Sequence, residues 1–137
     1  MTTGAAPRPL PSPVGLAADW YAHLARGELR IQHCTGCGRW RHPPRHLCAE
    51  CGSDEWAWDP ATGQGTLFSW TVTHQALHPA FADAVPYAIV VVELDEGVRV
   101  VSGVRGIEPG DLRLGLPLQV EIDRVDDAIG LVDFRPV

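Results

Sequence analysis

Four cysteines constrain this chain more than any other residues. They stand in Cys34-Thr35-Gly36-Cys37-Gly38 and Cys48-Ala49-Glu50-Cys51-Gly52, two CxxCG knuckles, and they are the only cysteines present. Each CxxC turn brings two thiolates to one side. Two facing turns supply the four ligands that a tetrahedral divalent metal needs. The glycine after each second cysteine lets the backbone curl around the sulfur through a positive φ. Zinc suits four thiolates best, with rubredoxin-like iron the lesser alternative. No ligand position is left open, so the expected site is structural and not catalytic. The competing reading of an even cysteine count is a pair of disulfides. Met1 to Val14 has no apolar core and is broken by prolines, so it does not read as a secretory signal. A cytoplasmic chain, which is the expectation, keeps such thiols reduced.

Charge is unevenly placed. All 11 basic residues are arginine, there is no lysine, and the net charge is −6. Residues 1–64 hold six arginines and six acids, whereas residues 65–137 hold five arginines and 11 acids. Arg30, Arg39, Arg41 and Arg45 lie between Leu29 and Ala49 with no acid among them. A basic patch on the cysteine module therefore faces an acidic remainder. No run approaches the roughly 18 apolar residues of a membrane span.

Residues 1–14, with Pro7, Pro9, Pro11 and Pro13, read as a flexible leader. A helix is expected over about Gly15 to Arg26, where Leu16, Trp20 and Leu24 recur at helical spacing and Gly27 stops it at C′. Residues 15–62 form the helix and metal ribbon. Leu29 to His33 enters the first knuckle as a strand, Trp40 and Arg41 leave it, and Glu55 to Asp59 leaves the second. So small a ribbon holds no core alone, and metal supplies the missing folding free energy. Residues 63–137 read as all strand: Thr66 to His74, Tyr87 to Leu94, Val98 to Arg105, Leu118 to Val125 and Leu131 to Arg135. Tyr87 to Leu94 is so rich in β-branched residues that burial on both faces is expected. Glu108 to Leu112 supplies at most one helical turn between the third and fourth strands. The fold class is mainly β: a short helix, a rubredoxin-like ribbon, and a five-stranded Greek-key barrel of the OB type.

No catalytic constellation is legible. His33, His42 and His46 sit among the knuckles, where four cysteines leave them no place as ligands. His74 and His78 flank the loop between the first two barrel strands, the best place for a working imidazole, but no nucleophile motif accompanies them. The acidic pairs Asp95-Glu96 and Asp126-Asp127 fall in expected turns. A ribbon joined to an OB barrel invites a nucleic-acid reading, which the acidic barrel opposes because it repels phosphates. Arg39, Arg41 and Arg45 are candidates to clamp the phosphates of a nucleotide-bearing thioester or an acidic partner face, since arginine offers a planar fork to such oxygens.

The ordered set of Trp20-Tyr21, Gly27-Glu28-Leu29, the two knuckles with Arg41-His42-Pro43-Pro44-Arg45 between them, Gly63-Gln64-Gly65-Thr66, Ser69-Trp70-Thr71, His78-Pro79, Pro86-Tyr87, Val92 to Gly97 and Phe134-Arg135-Pro136 resembles the acyl-CoA-associated OB-fold family, a "domain of unknown function" family with an N-terminal rubredoxin-like zinc ribbon. The resemblance implies zinc at Cys34, Cys37, Cys48 and Cys51. It implies a non-catalytic accessory subunit of a thiolase-like acyl-CoA enzyme, and a two-plus-two hetero-oligomer by analogy with thiolase dimers. In steroid degradation, similar modules occur fused to a hot-dog hydratase and join a thiolase-like aldolase that releases propionyl-CoA from a steroid side chain. The expected function is completion of such an acyl-CoA lyase, with His74, His78 and Phe81 as a possible partner-facing loop. Service as a scaffold or CoA-channelling subunit of a thiolase or acyl-CoA transferase is the alternative, and nucleic-acid binding a further one.

Overall fold

The structure is a computed structural model and describes residues 7–137. The first six residues of the expected leader lie outside the described ones. Residues 7–14 carry no regular secondary structure, and Arg8 places its guanidinium 4.8 Å from the centroid of the Phe81 ring.

One helix, α1 (Leu16–Ala25), buries Trp20 and Leu24 as its spacing dictates. It ends in a Schellman motif, with Gly27 N–H donating to Leu24 C=O at 2.9 Å and Glu28 N–H to His23 C=O at 3.0 Å. Gly27 takes φ 78°, which a residue with a Cβ adopts only at a cost. A three-stranded antiparallel sheet follows, built from β1 (Arg30–Cys34), β2 (Trp40–Arg41) and β3 (Trp56–Pro60) in the order β2-β1-β3.

The remaining strands are β4 (Gln64–Thr73), β5 (Tyr87–Leu94), β6 (Arg99–Val104), β7 (Pro117–Arg124) and β8 (Gly130–Pro136). They close into a barrel in the order β4-β5-β6-β8-β7, with β7 pairing back onto β4. All its pairings are antiparallel except β6 with β8, which are parallel. This is the OB arrangement, and closure leaves no free strand edge in the barrel. The element between β6 and β7 is a single 3-10 turn, Pro109–Asp111.

The hydrophobic pattern of β4 is irregular because the strand carries a bulge between Leu67 and Ser69. Leu67 points into the core while Phe68 is 44% exposed. β5 differs from expectation. Ala88, Val90, Val92 and Leu94 are buried, but Ile89 on the other face is 37% exposed. Its β-branched run therefore covers one buried and one outward barrel surface.

Trp20, Leu24, Leu29 and Ile31 share one core cluster with barrel residues such as Val90, Leu118 and Phe134. The ribbon and helix are thus welded to the barrel and do not hang from it. Gly130 makes that possible: a Cβ there would collide with the backbone carbonyl of Leu24. The short parallel seam is reinforced from outside. Arg105 donates to Asp133 Oδ2 at 2.7 Å and to Glu121 Oε1 at 3.3 Å, and it pairs with Asp123. Some of the barrel's acids therefore serve its closure.

Candidate functional site

The two knuckles are built alike. Gly38 N–H donates to Cys34 C=O and Gly52 N–H to Cys48 C=O, each at 2.9 Å. Gly38 and Gly52 take φ 80° and 75°, the positive values that the CxxCG pattern requires. The four sulfurs lie within 4.8 Å of one another, and Cys34 Sγ–Cys51 Sγ and Cys37 Sγ–Cys48 Sγ are both 3.7 Å. Thiolates on zinc at ~2.3 Å in a tetrahedron stand about 3.8 Å apart, whereas a disulfide requires about 2.05 Å. All four cysteines are free. The donor set thus fits a four-thiolate structural metal.

The first cysteine of each knuckle is prepared to give up its proton. The Cys51 and Glu50 backbone N–H groups pull the Cys48 thiol down to about 6. The Cys37 and Gly36 amides likewise lower Cys34. At Cys37 the Arg39 amide acts in the same sense, but burial and the neighbouring thiols carry the group up to about 11. A bound metal replaces these protons, which links its affinity to pH.

His33 and His42 pack outside the sulfur cage, and His46 is exposed. His33 contacts Asp59 Oδ2 through Nδ1 at 2.8 Å and Gly38 C=O through Nε2 at 2.9 Å, and it stacks on Trp40 at 4.1 Å. His42 packs on Trp20 at 4.5 Å between ring centroids, and burial holds its pKa down to about 4. The unfolded chain takes up that proton near pH 6.5. His42 therefore lowers stability as pH falls from about 6.5 towards about 4. With metal saturating, urea melts of the wild type and of His42→Phe, which keeps the contact with Trp20, are expected to diverge across that window. Parallel pH profiles would contradict the assignment.

The three candidate arginines have different roles. Arg39 is exposed and pairs with Glu50 at 3.4 Å. Arg41 is turned inward: its Nε donates to Gln32 Oε1 at 2.8 Å and its Nη2 to Arg45 C=O at 2.7 Å. Arg45 gives its own backbone N–H to Gln32 Oε1 at 2.7 Å, while its side chain is exposed. Arg39, Arg41 and Arg45 come together at one cleft of about 660 Å³ between the ribbon and the β5–β6 hairpin. Arg99 from the hairpin lines it too, a residue that the sequence reading did not single out. Gln32 was also missed. It alternates with Ile31 and reads as outward-facing, but β1 is the central ribbon strand and Gln32 is fully buried.

The loop between β4 and β5 does not assemble a catalytic group. His74 is exposed just beyond β4. His78 accepts a hydrogen bond from Ala80 N–H at Nδ1, 3.0 Å, and so caps the 3-10 turn Pro79–Phe81. Phe81 packs on Tyr87 at 5.8 Å between centroids, with Arg8 on it. The acidic pairs bind backbone amides: Asp126 accepts from Ala128 and Ile129 N–H groups of its own turn at 2.8 Å, and Glu96 accepts from the distant Thr62 N–H at 2.9 Å.

Comparison with known proteins agrees with this architecture. Residues 22–57 match the family model "ChsH2, rubredoxin-like zinc ribbon domain", and residues 58–123 match "ChsH2, C-terminal OB-fold domain". The chain is 37% identical over 129 residues to a "Probable enoyl-CoA hydratase alpha subunit" of Thermomonospora curvata, covering 94% of this chain and 40% of that protein. It is 37% identical over 92 residues to the "3-oxo-4,17-pregnadiene-20-carboxyl-CoA hydratase alpha subunit" of Mycobacterium tuberculosis, covering 67% of this chain and 29% of that one. The chain thus spans well under half the length of these two curated relatives. A solved structure described as "Ltp2-ChsH2(DUF35) aldolase" superposes with a TM-score of 0.84 at 36% identity, over 93% of this chain and 98% of the matched one. With both halves of the chain matched in order and its cysteines gathered as a ribbon requires, this chain belongs to the ChsH2 (DUF35) family of proteins that couple a rubredoxin-like zinc ribbon to an OB-fold domain.

Proposed function

We propose that this chain is a non-catalytic accessory subunit that docks on a thiolase-like acyl-CoA enzyme and completes a lyase, with zinc as its structural metal. The observation that carries this reading is the match over 98% of the ChsH2(DUF35) chain of a solved aldolase. The reaction would be retro-aldol cleavage of a β-hydroxyacyl-CoA. A base on the partner takes the substrate hydroxyl proton, the carbonyl forms, and the carbon–carbon bond breaks. Its electron pair passes to the enolate of the released acyl-CoA, which is then protonated. Preorganised donors on the partner stabilise that enolate. This chain contributes a rigid body that closes over the site, excludes water and fixes the thioester.

A steroid side chain is the substrate class we favour, with propionyl-CoA as the released product. The name of the mycobacterial relative, a pregnadiene-carboxyl-CoA hydratase subunit, supports that choice. The two hydratase-subunit names also support a hot-dog hydratase as a further companion. Arg39 and Arg45 belong to this reading as the phosphate or partner contact, with Arg41 behind them holding the backbone of Arg45.

Affinity capture of the chain from its native host tests the assembly. A thiolase-like enzyme is expected at equal stoichiometry, in a particle whose mass corresponds to two copies of each. Recovery of the chain with no thiolase-like companion would contradict the reading. Capture of a thiolase that condenses acyl-CoA and leaves β-hydroxyacyl-CoA intact would replace the lyase with a bond-forming partner.

A further inference from the structure

We propose that the cleft between the ribbon and the β5–β6 hairpin is a phosphoester-binding site shared by the two modules. Arg39, Arg45 and Arg99 are its contact residues, and Gln32 with Arg41 positions the loop that carries Arg45. The ligand we name, the nucleotide end of coenzyme A, rests on the acyl-CoA reading above; the cleft itself does not.

Charge carries the first part. The cleft is lined by four arginines and two glutamates, a local positive excess on a chain of net charge −6. Both glutamates are partly engaged, Glu50 by Arg39 and Glu96 by the Thr62 amide. A volume of about 660 Å³ falls in the ordinary range for small-molecule clefts. The contact arginines come from two places: Arg39 and Arg45 flank the inter-knuckle loop, and Arg99 opens β6. Arg99 is held over the Phe68 ring at 3.6 Å with its Nε on Glu93. A guanidinium stacked on a ring face keeps its remaining edge donors available to an oxyanion.

The positioning part rests on a buried network. Gln32 Oε1 accepts from both Arg41 Nε and Arg45 N–H, and Arg41 Nη2 returns to Arg45 C=O. Three hydrogen bonds thus fix the backbone of Arg45 against the central ribbon strand. Arg41 gives its Nε and Nη2 to this task and so acts through Arg45, while its buried Nη1 has no partner among the described residues.

Calorimetric titration of the metal-loaded chain, alone and in complex with its captured partner, tests this with coenzyme A, 3′-dephospho-coenzyme A and pantetheine. Coenzyme A is expected to bind, the dephospho form more weakly, and pantetheine least, with affinity falling as salt rises. Arg45→Glu and Arg99→Glu should each weaken coenzyme A by roughly tenfold or more, at unchanged metal content and Tm. Gln32→Leu should weaken it as well, whereas Gln32→Glu keeps the acceptor and restores binding. Equal binding of pantetheine, or coenzyme A affinity unchanged in both arginine variants, would overturn the proposal. So would loss of thiolase capture in those variants without any effect on coenzyme A, which would make the cleft a protein-docking surface and leave the accessory reading intact. Binding as expected with no thiolase-like companion would uphold the cleft and remove the accessory reading instead.

Discussion

Chelation of the metal is expected to unfold the two knuckles of the ribbon while the barrel persists. The ribbon consists of three short strands, one of them the two-residue Trp40–Arg41. Its knuckle sulfurs are drawn together at 3.7 Å, and without a metal only thiol contacts and a few hydrogen bonds oppose the entropy of the two knuckle loops. In small zinc folds the metal contributes on the order of 10–16 kcal/mol of apparent binding free energy, which becomes folding free energy. Cys48→Ser should abolish metal binding and reproduce the effect of the chelator. Amide exchange is the direct measurement. Protection at Gly38 and Gly52, whose N–H groups close the two knuckles, should be lost, while Val90 and Val92, buried in the middle of β5, stay protected. Unchanged protection in the ribbon would remove the metal from its structural role.

Phe134→Ala is expected to be the most damaging single change in the barrel. Phe134 is fully buried and is the largest of the fully buried side chains. It lies on β8 opposite Val104 across the parallel seam and Val120 across the antiparallel one, and its carbonyl accepts from Arg105 N–H at 2.8 Å. Removing the ring leaves a cavity at the least extensively paired join of the barrel. Such truncations cost about 3–5 kcal/mol, a large share of the roughly 5–15 kcal/mol that holds a typical domain. A urea melt should show the slope preserved and the midpoint falling by that loss divided by the slope. A loss under about 1 kcal/mol would mean that the seam does not depend on this residue, contrary to the packing described.

Much of this molecule was legible in its residues because the deciding constraints are local. CxxCG fixes both the ligand set and the glycine conformation, so Cys34, Cys37, Cys48 and Cys51 could be placed without a fold. Leu118 to Val125 alternates cleanly and became β7 within a residue at either end. Gly27 stops α1 because a positive φ is available there. Features that depend on distant pairing were hidden. Gln32 reads as a surface residue until strands on both sides cover β1. Arg99 joins the knuckle arginines only when the β5–β6 hairpin lies against the ribbon. Gly130 resembles any turn glycine, yet its missing Cβ is what admits the Leu24 carbonyl. Ile89 emerged exposed because a run of β-branched residues does not reveal which of its faces meets water.

The same division applies to function. Nothing in the spacing of the histidines points to chemistry, and the structure gives His33, His42 and His78 partners that pack or cap. In the proposed function, turnover belongs to the companion enzyme and its completion to this chain. The most direct measurement is cleavage of a β-hydroxyacyl-CoA by the purified chain, by the purified thiolase-like partner, and by the two combined. The account predicts product from the combination only; release of acyl-CoA by this chain alone, or by the partner at the full rate of the complex, would contradict it.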